Sequence, residues 1–259
     1  MQLALRTCDQ DGSSYGGFQW PLEVGAKVVA PDWDPEPECG GGLHGLLWGT
    51  GDVGLLDFSD PDKIWMVVEF EEYVDLEGKI KFPECTIRYI GDRDDAVAMI
   101  QKEAPSECLV HFSNRTVGDN QIVGVGDRGT ATAGDYGTAI AGDHGTATAG
   151  YYGTAKAAWG GTASAGGDGT ATAGAGGKAT VGRYGTATAG YRGTAIAGDY
   201  GKATAGDRGT ATAGEDGQIF INYIDSSNRR RTLVGYIGED GLKPNTPYRV
   251  KDGKFVEVT

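Results

Sequence analysis

Long apolar runs are missing from this sequence: no stretch approaches the ~18 consecutive apolar residues that a helix needs to span a bilayer. The N-terminus also lacks the basic, then apolar, then small-residue order of a secretory leader. Both absences lead to the expectation of a cytoplasmic protein with no membrane partner, whose four cysteines, Cys8, Cys39, Cys85 and Cys108, stay reduced. Histidine is scarce, with three in 259 residues, which leaves little material for metal or general-base sites. Bases are outnumbered as well, 23 Lys and Arg against 36 Asp and Glu, and the imbalance is local. Residues 1–112 carry 22 acids against 8 bases, 113–216 carry 9 against 8, and 217–259 carry 5 against 7. A field of that sign repels phosphate backbones, so nucleic acid is not the expected partner.

What the sequence has in excess is glycine, 45 residues. From Gly129 it recurs every eighth residue, at 129, 137, 145 and onward without a slip to 217. The typical unit is Gly-Thr-Ala-Thr-Ala-Gly-Asp-Tyr, and a short fixed period is the mark of a solenoid. The four residues after each glycine alternate with the period of a strand. Their first and third positions accept Lys156, Lys178, Lys202, Ser164, Ile140 and Ile196 besides Thr, whereas the second and fourth are Ala in every full octad except for Val181. A position that tolerates lysine is wet and one restricted to Ala or Val is packed, so Thr points out and Ala points in.

The residue before each repeat glycine decides how many octads close a coil. One parity holds Tyr136, Tyr152, Asp168, Tyr184, Tyr200 and Asp216; the other holds Arg128, His144, Gly160, Gly176, Arg192 and Arg208. Tyrosine and cationic residues never mix between the sets. The predicted repeat is therefore sixteen residues, two strands per coil, with a tyrosine ladder on one edge and a basic, glycine-rich edge opposite. A three-sided coil would put tyrosine on every edge. Alanine methyls bury too little apolar area to offset the ordering entropy alone, so backbone ladders and protected ends must supply the rest. Glycine at the strand ends is expected to turn the chain through left-handed conformations. Val123 and Val125 before the repeat, and Ile219 and Ile221 after it, replace alanines and predict a core that widens towards capping structure.

The predicted fold is mainly β: an acidic α+β domain over 1–112, a two-sided parallel β-solenoid over 113–222 and a β-hairpin cap over 223–259. In the first domain, strands are expected at 26–30, 64–70, 79–82 and 86–90, and one helix at 94–102 with Pro105 as its stop. Hairpins are expected from 219–224 to 232–237, and from 248–250 to 255–258 around Asp252-Gly253.

Several stretches carry a resemblance. Gly17-Phe18-Gln19-Trp20, Cys39-Gly40-Gly41-Gly42-Leu43-His44, the octads and the ending Gly241-Leu242-Lys243-Pro244-Asn245-Thr246-Pro247-Tyr248 resemble a functionally uncharacterised family of bacteriophages and prophages. That resemblance implies an accessory protein of the host bacterial cytosol and lends no activity. The octads and tyrosine ladder separately look like bacterial ice nucleation proteins, whose sixteen-residue coils carry Thr-x-Thr rows; Lys and Ile interrupt the rows here.

Candidate sites follow. Cys39 with His44 and Cys108 with His111 have spacings that permit zinc, with Cys8 or Cys85 in reserve, yet neither is a CxxC pair, and no metal or cofactor is expected. The Asp-containing turns lack the nonapeptide of calcium-binding repeats, and no phosphate-loop pattern is present. His44 as a general base has no nucleophile placed for it. The threonines form a hydroxyl array, whose fullest pairs are Thr130 with Thr132, Thr146 with Thr148, Thr170 with Thr172, and Thr186 with Thr188. Tyr136, Tyr152, Tyr184 and Tyr200 offer rigid amphipathic area of the kind enriched at interfaces. The leading expectation is a non-enzymatic scaffold that engages a host or phage protein, such as a host-defence factor, through the tyrosine edge. Two alternatives stay open: an ice-interacting protein that uses the threonine arrays, and a ligand-binding or enzymatic N-terminal domain. A homodimer through a solenoid edge is a further expectation.

Overall fold

A computed structural model describes residues 1–258 of the chain and divides it into two compact units, Met1–Ser113 and the segment from Asn114 onward. In the first unit seven strands form one antiparallel sheet in the order Lys27–Val29, Glu84–Gly91, Ile64–Phe70, Gln2–Cys8, Leu43–Leu47, Ile80–Phe82 and Val74–Asp75. Alternation sends successive side chains of Gln2–Cys8 to opposite faces: Leu3 and Leu5 pack with Ala96, Val97 and Ile100 of the helix Arg93–Glu103, whereas Ala4 and Cys8 join Phe70, Phe82 and Ile87 beneath the other face. The helix starts where Asp92 accepts a hydrogen bond from the Asp95 amide at 3.0 Å, and it ends just before Pro105.

Two central strands of this sheet went unread in the sequence. Gln2–Cys8 is buried on both faces and, with Gln2, Arg6 and Thr7 among its apolar residues, shows no clean alternation to recognise. Leu43–Leu47 has a glycine at its centre, which weakens a strand signal but is needed here: a Cβ on Gly45 would lie 2.9 Å from the Ala4 Cβ of the neighbouring strand.

The second unit is a parallel β-solenoid of about seven coils. Strands in one sheet run from Asn114–Thr116 through Thr130–Ala133, Thr146–Ala149, Thr162–Ala165, Lys178–Val181 and Thr194–Ile196 to Thr210–Thr212. Those of the second sheet run from Ile122–Gly124 through Thr138–Ala141 and its successors to Gln218–Ile224. Every parallel pairing joins residue i to residue i+16, as in Thr130 to Thr146 and Thr138 to Thr154, so two strands close each coil. The alanines line the interior in one continuous core, joined at its ends by Val123, Val125, Ile219, Ile221 and Ile237. The solenoid begins two octads before Gly129, with the strands Asn114–Thr116 and Ile122–Gly124. Arg115 stands at an inward position there and Gln121 replaces the repeat glycine, which hides the period.

Both C-terminal hairpins extend the solenoid sheets. Gln218–Ile224 is the last parallel strand of its sheet and pairs antiparallel with Arg230–Tyr236. Tyr248–Lys251 pairs antiparallel with Thr210–Thr212 through Ala211 and Tyr248, and with Lys254–Glu257. Antiparallel addition ends the parallel repeat and covers two of its open edges.

The turns correct one expectation. The repeat glycines do not take left-handed backbone; the residue before each of them does, with φ of 57° at Tyr136, 55° at His144 and 59° at Arg208. Each turn closes with a hydrogen bond such as Gly137 N–H to Gly134 O, 3.2 Å, and the left-handed amide donates to the next coil, Tyr136 N–H to Tyr151 O at 2.8 Å. The glycine is required for space instead: a Cβ on Gly137 would sit 2.8 Å from the Ala133 Cβ and 2.9 Å from Gly134 O.

Candidate functional site

The outward rows of the two sheets follow from the i to i+16 register. On the first sheet Thr130 and Thr132, Thr146 and Thr148, and Thr162 and Ser164 form three consecutive rungs before Lys178 interrupts them. On the second, the rungs of Thr170 and Thr172 and of Thr186 and Thr188 are consecutive, with Thr138 and Thr154 extending one column and Thr204 the other; Ile140, Lys156 and Lys202 bound the block. Outward does not mean fully exposed: Thr148 and Thr170 are exposed, whereas Thr130, Thr132, Thr146, Thr172, Thr186 and Thr188 are half-buried. The neighbouring rungs, one strand spacing away, shield the flanks of each side chain and leave its tip to solvent. Successive rungs lie ~4.8 Å apart and outward residues on one strand ~6.6–7 Å apart, so each block is a flat two-column lattice of hydroxyls and methyls. Lys or Ile enters both sheets, and neither carries an unbroken array.

At one edge the four ladder tyrosines form two stacks. The rings of Tyr136 and Tyr152 lie 5.1 Å apart and 10° from parallel, and those of Tyr184 and Tyr200 lie 5.0 Å apart and 19° from parallel. Asp168 separates the stacks. The Tyr151 ring packs edge-on against Tyr152 at 4.6 Å, and its hydroxyl bonds Asp168, which pushes the phenol up to about 12. The Arg183 guanidinium lies 4.8 Å from the Tyr184 ring and 5.0 Å from that of Tyr200. Tyr151 and Arg183 break the repeat consensus; Tyr151 was expected beside the ladder together with Tyr191, which instead lies on the opposite edge, and the pairing of Arg183 with the ladder was not foreseen.

The turn aspartates have an assigned role that the sequence reading missed. Asp119, Asp127, Asp135, Asp143 and Asp199 each accept a hydrogen bond, at 2.7–2.9 Å, from the amide sixteen residues on. The signal was present: Asp recurs two places before the repeat glycine, and a carboxylate there reaches the equivalent turn of the next coil. The opposite edge carries Arg128, His144, Arg192 and Arg208 beside Trp159 and Tyr191. His144 meets Trp159 edge-on at 4.5 Å, and the Arg192 guanidinium lies 5.2 Å from the Tyr191 ring.

In the first unit the structure separates the candidate zinc residues into different surroundings. Cys39 is exposed, with the Lys79 ammonium 3.0 Å from its sulfur, and His111 Nε2 lies 2.9 Å from Gly51 O. Burial pushes the Cys85 thiol up to about 12 and raises that of Cys8. Among the described residues no group of three or more His, Cys, Asp and Glu is arranged to hold a metal ion. His44 stands on the strand Leu43–Leu47 with Nε2 buried and unpartnered, and its pKa is lowered by burial first and then by Lys79, Arg6 and Lys81. Lys81 is buried and donates to Glu38 O at 2.9 Å and Gly40 O at 3.1 Å, anchoring the glycine run beside it. The Arg6 guanidinium lies 3.6 Å over the Trp20 ring and donates to His44 O at 3.0 Å.

Residues 2–99 match a family described as "Domain of unknown function (DUF7666)". The repeat is similar to ice nucleation proteins: 37% identical over 107 residues to that of Xanthomonas campestris pv. translucens, covering 40% of this chain and 7% of that relative. It is 32% identical over 102 residues to ice nucleation protein InaU of Pantoea ananas, covering 38% of this chain and 10% of the relative. Against one of Pseudomonas syringae the figures are 34% over 98 residues, 36% and 8%. The chain thus spans about a tenth or less of the length of these relatives. No solved structure matches the chain. None of these relatives is named as an enzyme or as a phage protein, and the phage-borne, protein-engaging reading has no support among them. The cytoplasmic expectation is overturned: ice nucleation proteins are surface proteins anchored at the bacterial outer membrane, whereas the expectation had rested on missing spans and leaders, which specify no address, and on the phage resemblance. The resemblance of the octads to ice nucleation repeats is the one that these matches bear out.

Proposed function

We propose that the protein interacts with ice, or with water ordered as in ice, through the threonine blocks of its two solenoid sheets. One observation carries this reading: outward Thr side chains recur in strict i to i+16 register on a parallel ladder, holding hydroxyls and methyls at repeating intervals on a flat surface. Ordered parallel strands bring that spacing without further side-chain packing, and the similarity of the repeat to ice nucleation proteins supports it. Each block is small. Three rungs extend only ~10 Å along the solenoid. Nucleation needs a template as large as the ice embryo that it stabilises, whereas adsorption to an existing crystal needs only a local match, so the blocks favour binding to ice over nucleating it.

Ice growth in nanolitre droplets tests the proposal directly. The full-length protein is expected to produce thermal hysteresis and faceted crystals, and the double variant T146K/T170K, with unchanged circular dichroism, to lose both. Unrestricted crystal growth at the highest soluble concentration of the parent protein would refute the ice reading.

A further inference from the structure

The two edges of the solenoid differ in a way that selects a partner. In each turn the chain passes from one sheet to the other, so the residue two places before the repeat glycine lies nearer the sheet being left, and the following residue nearer the sheet being entered. Each edge therefore carries two parallel columns. On the tyrosine edge, from 119/120 to 215/216, these columns hold six carboxylates and one arginine. On the opposite edge, from 127/128 to 207/208, they hold three of each.

A two-fold axis parallel to the solenoid keeps rungs level and sets the first column of one copy against the second column of the other. On the balanced edge this places unlike charges together: Asp127 against Arg128 and Asp207 against Arg208. Asp143 meets His144. The middle rungs carry rings instead. Trp159, 56% exposed, stands opposite Gly160, over which the His144 ring of the same copy lies, and the Tyr191 ring, 43% exposed, faces the Arg192 guanidinium. Between them lies Ala175-Gly176, the only turn on either edge with no side chain beyond Cβ, which leaves room for two facing indoles. The tyrosine edge, paired the same way, would bring its six carboxylates against six more.

We propose that this edge is a self-association surface, on which a second copy of the chain docks side by side and parallel, with Trp159 as its central anchor and the flanking Asp–Arg rungs setting the register. Six rungs measure about 24 Å from first to last, a strip smaller than the ~800 Å² per partner of a stable complex, so the association is reversible and concentration-dependent. Parallel pairing also sets the first sheet of one copy beside the second sheet of the other, on both sides of the dimer. That consequence bears on the ice reading; the association itself stands without it.

Sedimentation velocity on the full-length chain over a concentration series tests the proposal. A monomer–dimer equilibrium is expected, weakened about tenfold or more by W159A, since central aromatic anchors dominate such surfaces. R208D and D207R should each weaken it, because each sets like charges across both symmetric contacts. An equimolar mixture of R208D and D207R should recover dimer, as opposite signs then meet in trans, a result that no change within one chain can produce. Y136S/Y200S, on the other edge, should leave the equilibrium unaltered. A chain that stays monomeric throughout the series, a dimer indifferent to W159A, or a mixture no better than its components would overturn the proposal, and none of these outcomes bears on hysteresis measured with monomer.

Discussion

The N-terminal sheet and the solenoid are both β structure, yet they are held by opposite means. The sheet buries large side chains, Leu5, Met66, Phe82 and Ile87 among them, from strands of unequal length and irregular spacing. The solenoid buries methyl groups, and its uniform strands place every backbone ladder bond in line with the next. In one region shape-specific packing decides which strands meet; in the other, close approach and repetition do so. Cores of the first kind fail when a side chain is made smaller, and cores of the second kind when one is made larger.

The largest test of this contrast is Phe82→Ala, which removes a fully buried ring stacked on Phe70 at 4.7 Å. It is expected to cost about 3–5 kcal/mol. Hydrogen exchange should report the loss in residues 1–113 and leave the alanine ladder protected; equal deprotection of the solenoid would deny the two cores their independence. The complementary change, Ala171→Leu, forces three carbons between sheets that meet through alanine and should cost about 1–3 kcal/mol or more. An unchanged melting profile for that variant would show that the interior has slack which this account denies it.

Alkali separates the regions by titration, since all four cysteines lie in the first. Cys85, buried, has its folded-state pKa pushed up to about 12, above an unfolded value of ~8.5. The stability it lends is complete below the unfolded value and declines as pH rises towards the folded one. By pH 10 the expected loss is about 2 kcal/mol, read as a falling denaturation midpoint of the first unit. A midpoint that stays constant between pH 8 and 10 would contradict this assignment. The smallest effect belongs to the turns: Asp143→Ala leaves the Trp159 amide without its carboxylate and should cost about 0.5–1.5 kcal/mol, seen as faster exchange at that amide.

Legibility followed the same division. The octad period, the inward alanines and the sixteen-residue coil were readable because each coil repeats the same local problem, so a substitution in one unit explains its neighbours. In the two octads before Gly129, which the expected 113–222 span includes, Arg115 at an inward position and Gln121 in the place of glycine depart from that period. In the N-terminal unit Ile64–Phe70 and the helix were legible from their own composition, whereas Gln2–Cys8, buried on both faces, and Leu43–Leu47, with Gly45 at its centre, were not. Of the candidate site, the threonine rows and tyrosine column could be placed from the period alone. The shielding of Thr132, Thr172 and Thr188 by adjoining rungs could not, because it depends on neighbours sixteen residues away. Nor could Tyr151 on Asp168 or Arg183 over two tyrosines, since a residue that breaks a repeat shows its purpose only beside its neighbours in the adjoining coils.

The sequence by itself determined the coil: a glycine every eighth residue, a two-octad alternation at the turns and a wet-or-dry pattern along each strand leave one closed arrangement. Tertiary structure alone decided that the left-handed turn residue is the one before the glycine, that the glycine serves close contact, and that Asp119, Asp127, Asp135, Asp143 and Asp199 each tie their turn to the next coil. The reason is range. Period and polarity act within a few residues, whereas clearance between backbones and hydrogen bonds across sixteen residues exist only once coils are stacked.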